Sequence, residues 1–203
     1  MAQSVIFPQE QQPGVAAVSN TENVYTLSNN LFAANFVKEN GTLMFGGCSE
    51  LGLQAGAELF KVQLRDGSEI LASEFTLGEV KIETLTGNPD AVKASRRFNG
   101  KQLAAQFTHE NGLCIEWRAV LRDGSHYLRT EVDITTTTDI EMYSIIPMIY
   151  TVDNVDGEKA PTVVGNTRGA VIASDKIFAG LETPTGINTA GESTDLESFV
   201  YKA

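Results

Sequence analysis

The pentapeptide Leu-Arg-Asp-Gly-Ser occurs twice, at residues 64–68 and 121–125, each time between stretches of strand-like residues. Asp-Gly between alternating apolar runs is a strong hairpin signal. A type I′ turn needs positive φ at both central residues, which Asp tolerates and Gly adopts without steric cost. Asn40-Gly41, Asn99-Gly100 and Asn111-Gly112 repeat the signal. Turns of this grade at residues 66, 99, 111 and 123 predict a large antiparallel meander. After the second copy, residues 127–135 interleave Tyr, Arg, Glu, Asp and Thr with Leu, Val and Ile, so one face is buried and the other wet.

The rest of the chain agrees with an all-β fold. Strand-like runs occupy residues 24–27, 31–37, 43–45, 58–64, 69–75, 80–85, 91–98, 102–109 and 113–121. A helical turn is expected at residues 49–53. Residues 140–152 form a long apolar run that reads as a core strand, with Pro147 marking a bulge or an edge. Short strands follow near residues 162, 170, 177 and 199. Residues 1–22 read as a loose lead-in in which Val5-Ile6-Phe7 forms a short edge strand. No Pro-, Gly- or Ser-rich linker divides residues 23–203, so one large two-sheet antiparallel β-sandwich is the economical architecture.

Charge narrows the partners. The 26 acidic residues outnumber 15 basic ones, giving a net charge of −11, and no run of Lys and Arg interrupts that field along the chain. Nucleic-acid binding is not expected. No apolar run reaches the ~20 residues that span a bilayer. The two cysteines, Cys48 and Cys114, read as buried free thiols before they read as a disulfide. Two Cys and two His so dispersed do not make a zinc site. The acidic stretch 153–158 lacks the alternate-position spacing of a calcium loop. Neither a metal nor a cofactor is expected.

Candidate chemistry is thin. Asp175 and Glu182 bracket an apolar strand and are the first choice for a carboxylate pair in glycoside hydrolysis, although a turn cap and a surface residue are the commoner reading. His109 and His126 are candidates for an acid and a base, against the plainer reading of solvated turn histidines. Trp117 could stack on a sugar ring, or pack in a core. There is no self-sufficient catalytic motif.

The most distinctive run is Arg168-Gly169-Ala170-Val171-Ile172-Ala173-Ser174-Asp175, followed by Phe178-Ala179-Gly180-Leu181-Glu182-Thr183-Pro184. It resembles the segment that closes the N-terminal β-supersandwich domain of large secreted bacterial glycoside hydrolases, of the α-galactosidase or endo-α-N-acetylgalactosaminidase type. The likeness extends over residues 24–184, and its sharp part is residues 163–184. The resemblance implies a galactose mutarotase-like fold that packs against a catalytic barrel carrying the reactive carboxylates. It further implies a chain cut from a longer polypeptide, an extracytoplasmic location with the signal peptide removed, and two partners: carbohydrate and the downstream catalytic domain. Arg168, Phe178 and Leu181 then become candidates for domain or carbohydrate contact. The His and Glu arrangement of the mutarotases has no matching motif in this chain.

Overall fold

A computed structural model describes residues 11–153, 160–183, 185–191 and 195–201, and among these described residues there are sixteen strands. A four-strand meander comes first: β1 (Ala17–Thr21), β2 (Val24–Ser28), β3 (Ala33–Glu39) and β4 (Thr42–Gly47). The short β5 (Lys61–Leu64) and β6 (Glu69–Leu71) flank the first pentapeptide. A second meander follows, of β7 (Thr76–Leu85), β8 (Gly100–Thr108), β9 (Leu113–Arg122) and β10 (Arg129–Thr136). Next are the long β11 (Met142–Thr151), then β12 (Thr162–Val164), β13 (Val171–Ala173) and β14 (Phe178–Ala179) as a three-stranded sheet. The last strands, β15 (Ile187–Ala190) and β16 (Asp195–Tyr201), join β11, β5 and β6 in the order β15-β16-β11-β5-β6. Every pairing between these strands is antiparallel.

Period-two patterning builds the core. Along β9, Leu113, Ile115, Trp117, Ala119 and Leu121 point inward, while Cys114, Glu116, Arg118 and Arg122 lie on the other face. Across the ladder β8 contributes Leu103, Ala105 and Phe107 to the same side. The facing meander supplies Leu27, Phe36, Leu43 and Phe45. Phe36 meets Trp117 edge to face at a centroid distance of 5.2 Å, and Phe45 at 5.8 Å. A smaller cluster of Val152, Ile172, Ile177 and Leu196 sits under the three-stranded sheet. Leu51, Leu53 and Tyr150 pack on both clusters, so the apolar interior is continuous.

The two copies of the pentapeptide do different work. In the first, the Gly67 N–H donates to Leu64 O (3.2 Å) and the Leu64 N–H to Ser68 O (2.9 Å), with Gly67 at φ 88°. Asp66 does not take positive φ, so this is a three-residue hairpin with a left-handed glycine rather than the expected type I′ turn. Asn40-Gly41, at φ 52° and 80°, is the pair with both residues in that region. In the second copy, strand pairing resumes only at Arg129, and residues 123–128 form a longer loop. Its Asp123 carboxylate accepts the Ala16 N–H (2.8 Å), and its Gly124 N–H donates to Gly14 O (2.8 Å).

For residues 11–21, the described part of the expected lead-in 1–22, that contact corrects the reading as loose. Ala16 is buried, residues 11–16 are tied down from the second pentapeptide, and residues 17–21 are β1. The proposed edge strand at residues 5–7 lies outside the described residues, as does nearly all of the acidic stretch 153–158. Residues 91–98 are not a strand: β7 ends at Leu85, and a long connection carries a 3-10 turn, Ala94–Arg97, before β8 starts at Gly100. Asn99-Gly100 therefore opens a strand instead of turning a hairpin. The helical turn expected near residue 49 is a 3-10 turn, Ser49–Leu51. Pro147 lies where the β11–β16 register shifts between Ile145 and Met148, the bulge its missing N–H favours.

Candidate functional site

The expected site residues do not converge. Trp117 is 1% exposed and wedged against Phe36, and its indole N–H has no hydrogen-bond partner. A side chain enclosed between two sheets cannot offer a face to a sugar, so Trp117 is corrected from platform to core. The two histidines flank opposite ends of β9. His109 is held at the β8–β9 turn, where its ring packs on Phe75 (5.1 Å between centroids) and its Nδ1 accepts the Asn111 N–H at 3.3 Å. His126 is exposed in the loop after β9. The ten residues of β9 separate these ends by about 33 Å at ~3.3 Å per residue. They cannot act on one substrate atom.

Glu182 is exposed and engaged by Arg129, whose Nε and Nη2 both donate to its Oε1 at 2.9 and 2.6 Å. Asp175 is exposed in the turn between β13 and β14. Arg168 is exposed in the turn before β13. Among the described residues no group of three or more His, Cys, Asp or Glu side chains stands together as a metal site. No described helix is long and apolar enough to cross a membrane. Both cysteines are free. Burial pushes the Cys48 thiol up to about 11, with the Glu50 carboxylate adding to it. An open cleft of about 240 Å³ runs beside residues 134–142, and none of the expected site residues lines it.

Two features do stand out. The first is the outer face of the β12–β14 sheet. Its register sets Thr162 beside Ala173, Val164 beside Val171, and Ala173 beside Phe178, so these five residues share one face. The opposite face carries Val163, Ile172 and Ala179 onto the smaller core cluster. On the outer face Val164 is 56% and Phe178 74% exposed. Leu181, just beyond, is partly buried, and its N–H donates to the buried Asn188 (3.2 Å), which also donates to Ala170 O (2.8 Å). Asn188 thus fixes residues 170–181 against β15, a role its sequence context did not announce.

The second feature is a cluster of arginines. Arg96 comes from the 3-10 turn Ala94–Arg97, Arg122 from the end of β9, and Arg129 from the start of β10. Arg129 donates from Nη1 to Ser95 Oγ (2.9 Å), and its guanidinium lies 5.9 Å from the centre of the Tyr127 ring. Arg122 donates from Nη1 to Phe98 O (2.9 Å). Burial holds Arg122 below its usual range, and the charges of Arg129 and Arg96 add to this against Glu131. The uniformly acidic field read from the sequence is therefore broken at this spot.

Comparison with protein-family models, with curated proteins and with solved structures finds no match to this chain.

Proposed function

We propose that this chain is a non-catalytic, carbohydrate-associated β-sandwich domain of an extracytoplasmic glycoside hydrolase, docked on the catalytic domain that follows it in the same polypeptide. The observation that carries the reading is the open apolar face of β12–β14. Val164 and Phe178 stand exposed on a sheet whose other face is already buried, and contiguous exposed apolar residues mark interaction sites. Phe178 belongs to the same run, residues 168–184, that resembles the close of the supersandwich domain. The scatter of the catalytic candidates supports the non-catalytic half: His109 and His126 lie a strand length apart, and Glu182 is taken up by Arg129.

The competing reading is a small mutarotase using a histidine and Glu182. Polarimetry of freshly dissolved α-galactose decides between the two. The proposal expects the chain to leave anomer exchange at the buffer rate. Acceleration that vanishes when His109 and His126 are both replaced by Ala would overturn it.

A further inference from the structure

Among the described residues three of the five partly buried Lys and Arg side chains pair with acids; Lys101 donates instead to the Thr84 hydroxyl (2.8 Å), and Arg122 is the remaining case. Lys61 is 15% exposed and lies 3.3 Å from both Glu69 and Glu197. Arg118 is enclosed by Glu116, Glu131 and Asp133, and Arg129 is held by Glu182. Arg122 is also half-buried, yet among the described residues no carboxylate comes within ion-pair distance of it. Its protein acceptor is the neutral Phe98 carbonyl. Two further arginines stand near it, which raises the cost of its charge. Acidic residues are plentiful in this chain, so a half-buried guanidinium left without one is a site that an outside anion would satisfy.

The geometry points to Arg96 and Arg122, with Arg129 and the Tyr127 ring beside them, as a receptor for a single acidic substituent on an otherwise uncharged glycan. The substituent is an oxyanion, either the carboxylate of a uronic acid or a sulfate ester. The Arg122 Nε and Nη2 edge has no acceptor among the described residues and forms the fork that suits two oxygens. Arg96 is exposed and brings a second charge from the neighbouring turn. Arg129 is a positioning residue: its N–H groups already bond Glu182 and Ser95, and it braces Tyr127. Tyr127 and Phe98 are 50% and 54% exposed, aromatic surface against which a sugar ring could lie. Glu131 and Glu182 border the cluster and would repel a chain charged at every unit, which disfavours a nucleic acid or a fully charged polysaccharide. The glycan part of the assignment rests on the carbohydrate reading proposed above.

Isothermal titration of the whole chain tests it. The probes are a neutral oligosaccharide ending in one glucuronic acid, its methyl ester, its sulfate-ester counterpart, inorganic sulfate and a short single-stranded oligonucleotide. The acid or the sulfate ester should bind, and the methyl ester should bind about tenfold more weakly or worse. Arg122→Gln should lose about ten- to hundredfold, as removal of a charge-assisted contact dictates, and the exposed Arg96→Gln a smaller factor with its circular dichroism unchanged. Salt at about 1 M, where the screening length falls to about 3 Å, should weaken the Arg96 contribution most. Equal binding of acid and methyl ester, or binding indifferent to both substitutions, overturns the site and leaves the carbohydrate reading standing. Inorganic sulfate bound through Arg122 with no oligosaccharide bound overturns the glycan assignment and the carbohydrate reading together. Tighter binding of the oligonucleotide, or no binding of any probe, overturns the inference itself.

Discussion

Replacing Trp117 separates core from carbohydrate platform in one experiment. The ring is 1% exposed, sits edge-on to Phe36 at 5.2 Å, and comes from the strand at the centre of the second meander. Truncating such a residue to Ala removes its transfer free energy and leaves a cavity, together about 3–5 kcal/mol. With a urea slope of roughly 2–3 kcal/mol/M for a chain of this size, the unfolding midpoint should fall by roughly 1–2.5 M. Trp117→Phe should cost less, about 1–2 kcal/mol. It keeps most of the apolar volume and deletes an indole N–H that has no acceptor and costs about 1–3 kcal/mol to bury. Far-UV circular dichroism in urea reads all three proteins, because Trp117 is the sole tryptophan and fluorescence vanishes with it. A Trp117→Ala midpoint within experimental error of the parent would refute the packing argument. Lost glycan affinity at unchanged stability would return Trp117 to the surface.

Three other outcomes follow from local geometry. A Cβ on Gly100 would clash with the Leu121 carbonyl oxygen, so Gly100→Ala should lower the thermal midpoint, while Gly124→Ala meets no neighbouring atom and is limited to its φ of 72°. Cys48 should resist iodoacetamide at pH 8 in the folded protein and react once urea exposes it, since it is 1% exposed and its thiol is pushed up to about 11. Burial, with Cys48 adding to it, pushes the Tyr150 phenol up to about 12. The folded state therefore holds this proton where the unfolded chain has released it, so stability is complete below about pH 10 and declines as pH rises to about 12. Chemical denaturation across that window should show the decline, and Tyr150→Phe should flatten it.

The strands were legible because they follow a period of two and two exposed-face charges rarely interrupt an inward residue; β9 is a case where every second residue from Leu113 to Leu121 is buried. Turn identity was less legible. Asp-Gly and Asn-Gly state that a chain can reverse, but long-range hydrogen bonds decide what the turn does, as the capture of Ala16 by Asp123 illustrates. The stretch 91–98 looked like a strand because Val92 and Phe98 are apolar, yet both are exposed on a long connection. The arginine cluster could not be read at all, since Arg96, Arg122 and Arg129 belong to three segments that meet only when β8, β9 and β10 pair. Trp117 and the histidines failed as a site for a related reason: residue type suggested chemistry, and strand register placed one in the core and the others at opposite ends of β9.

The docking claim is tested most directly by hydroxyl-radical footprinting of Phe178 and Val164, in this chain and in the longer polypeptide that the proposed function requires of its natural reading frame. Both side chains are open in the chain by itself, and Ile172 on the opposite face of the same sheet is an internal reference at 0% exposure. The account predicts strong modification of Phe178 and Val164 in the chain alone, marked protection in the longer polypeptide, and no change at Ile172. Equal modification of Phe178 in both proteins, or a reading frame that encodes no further domain, would contradict it.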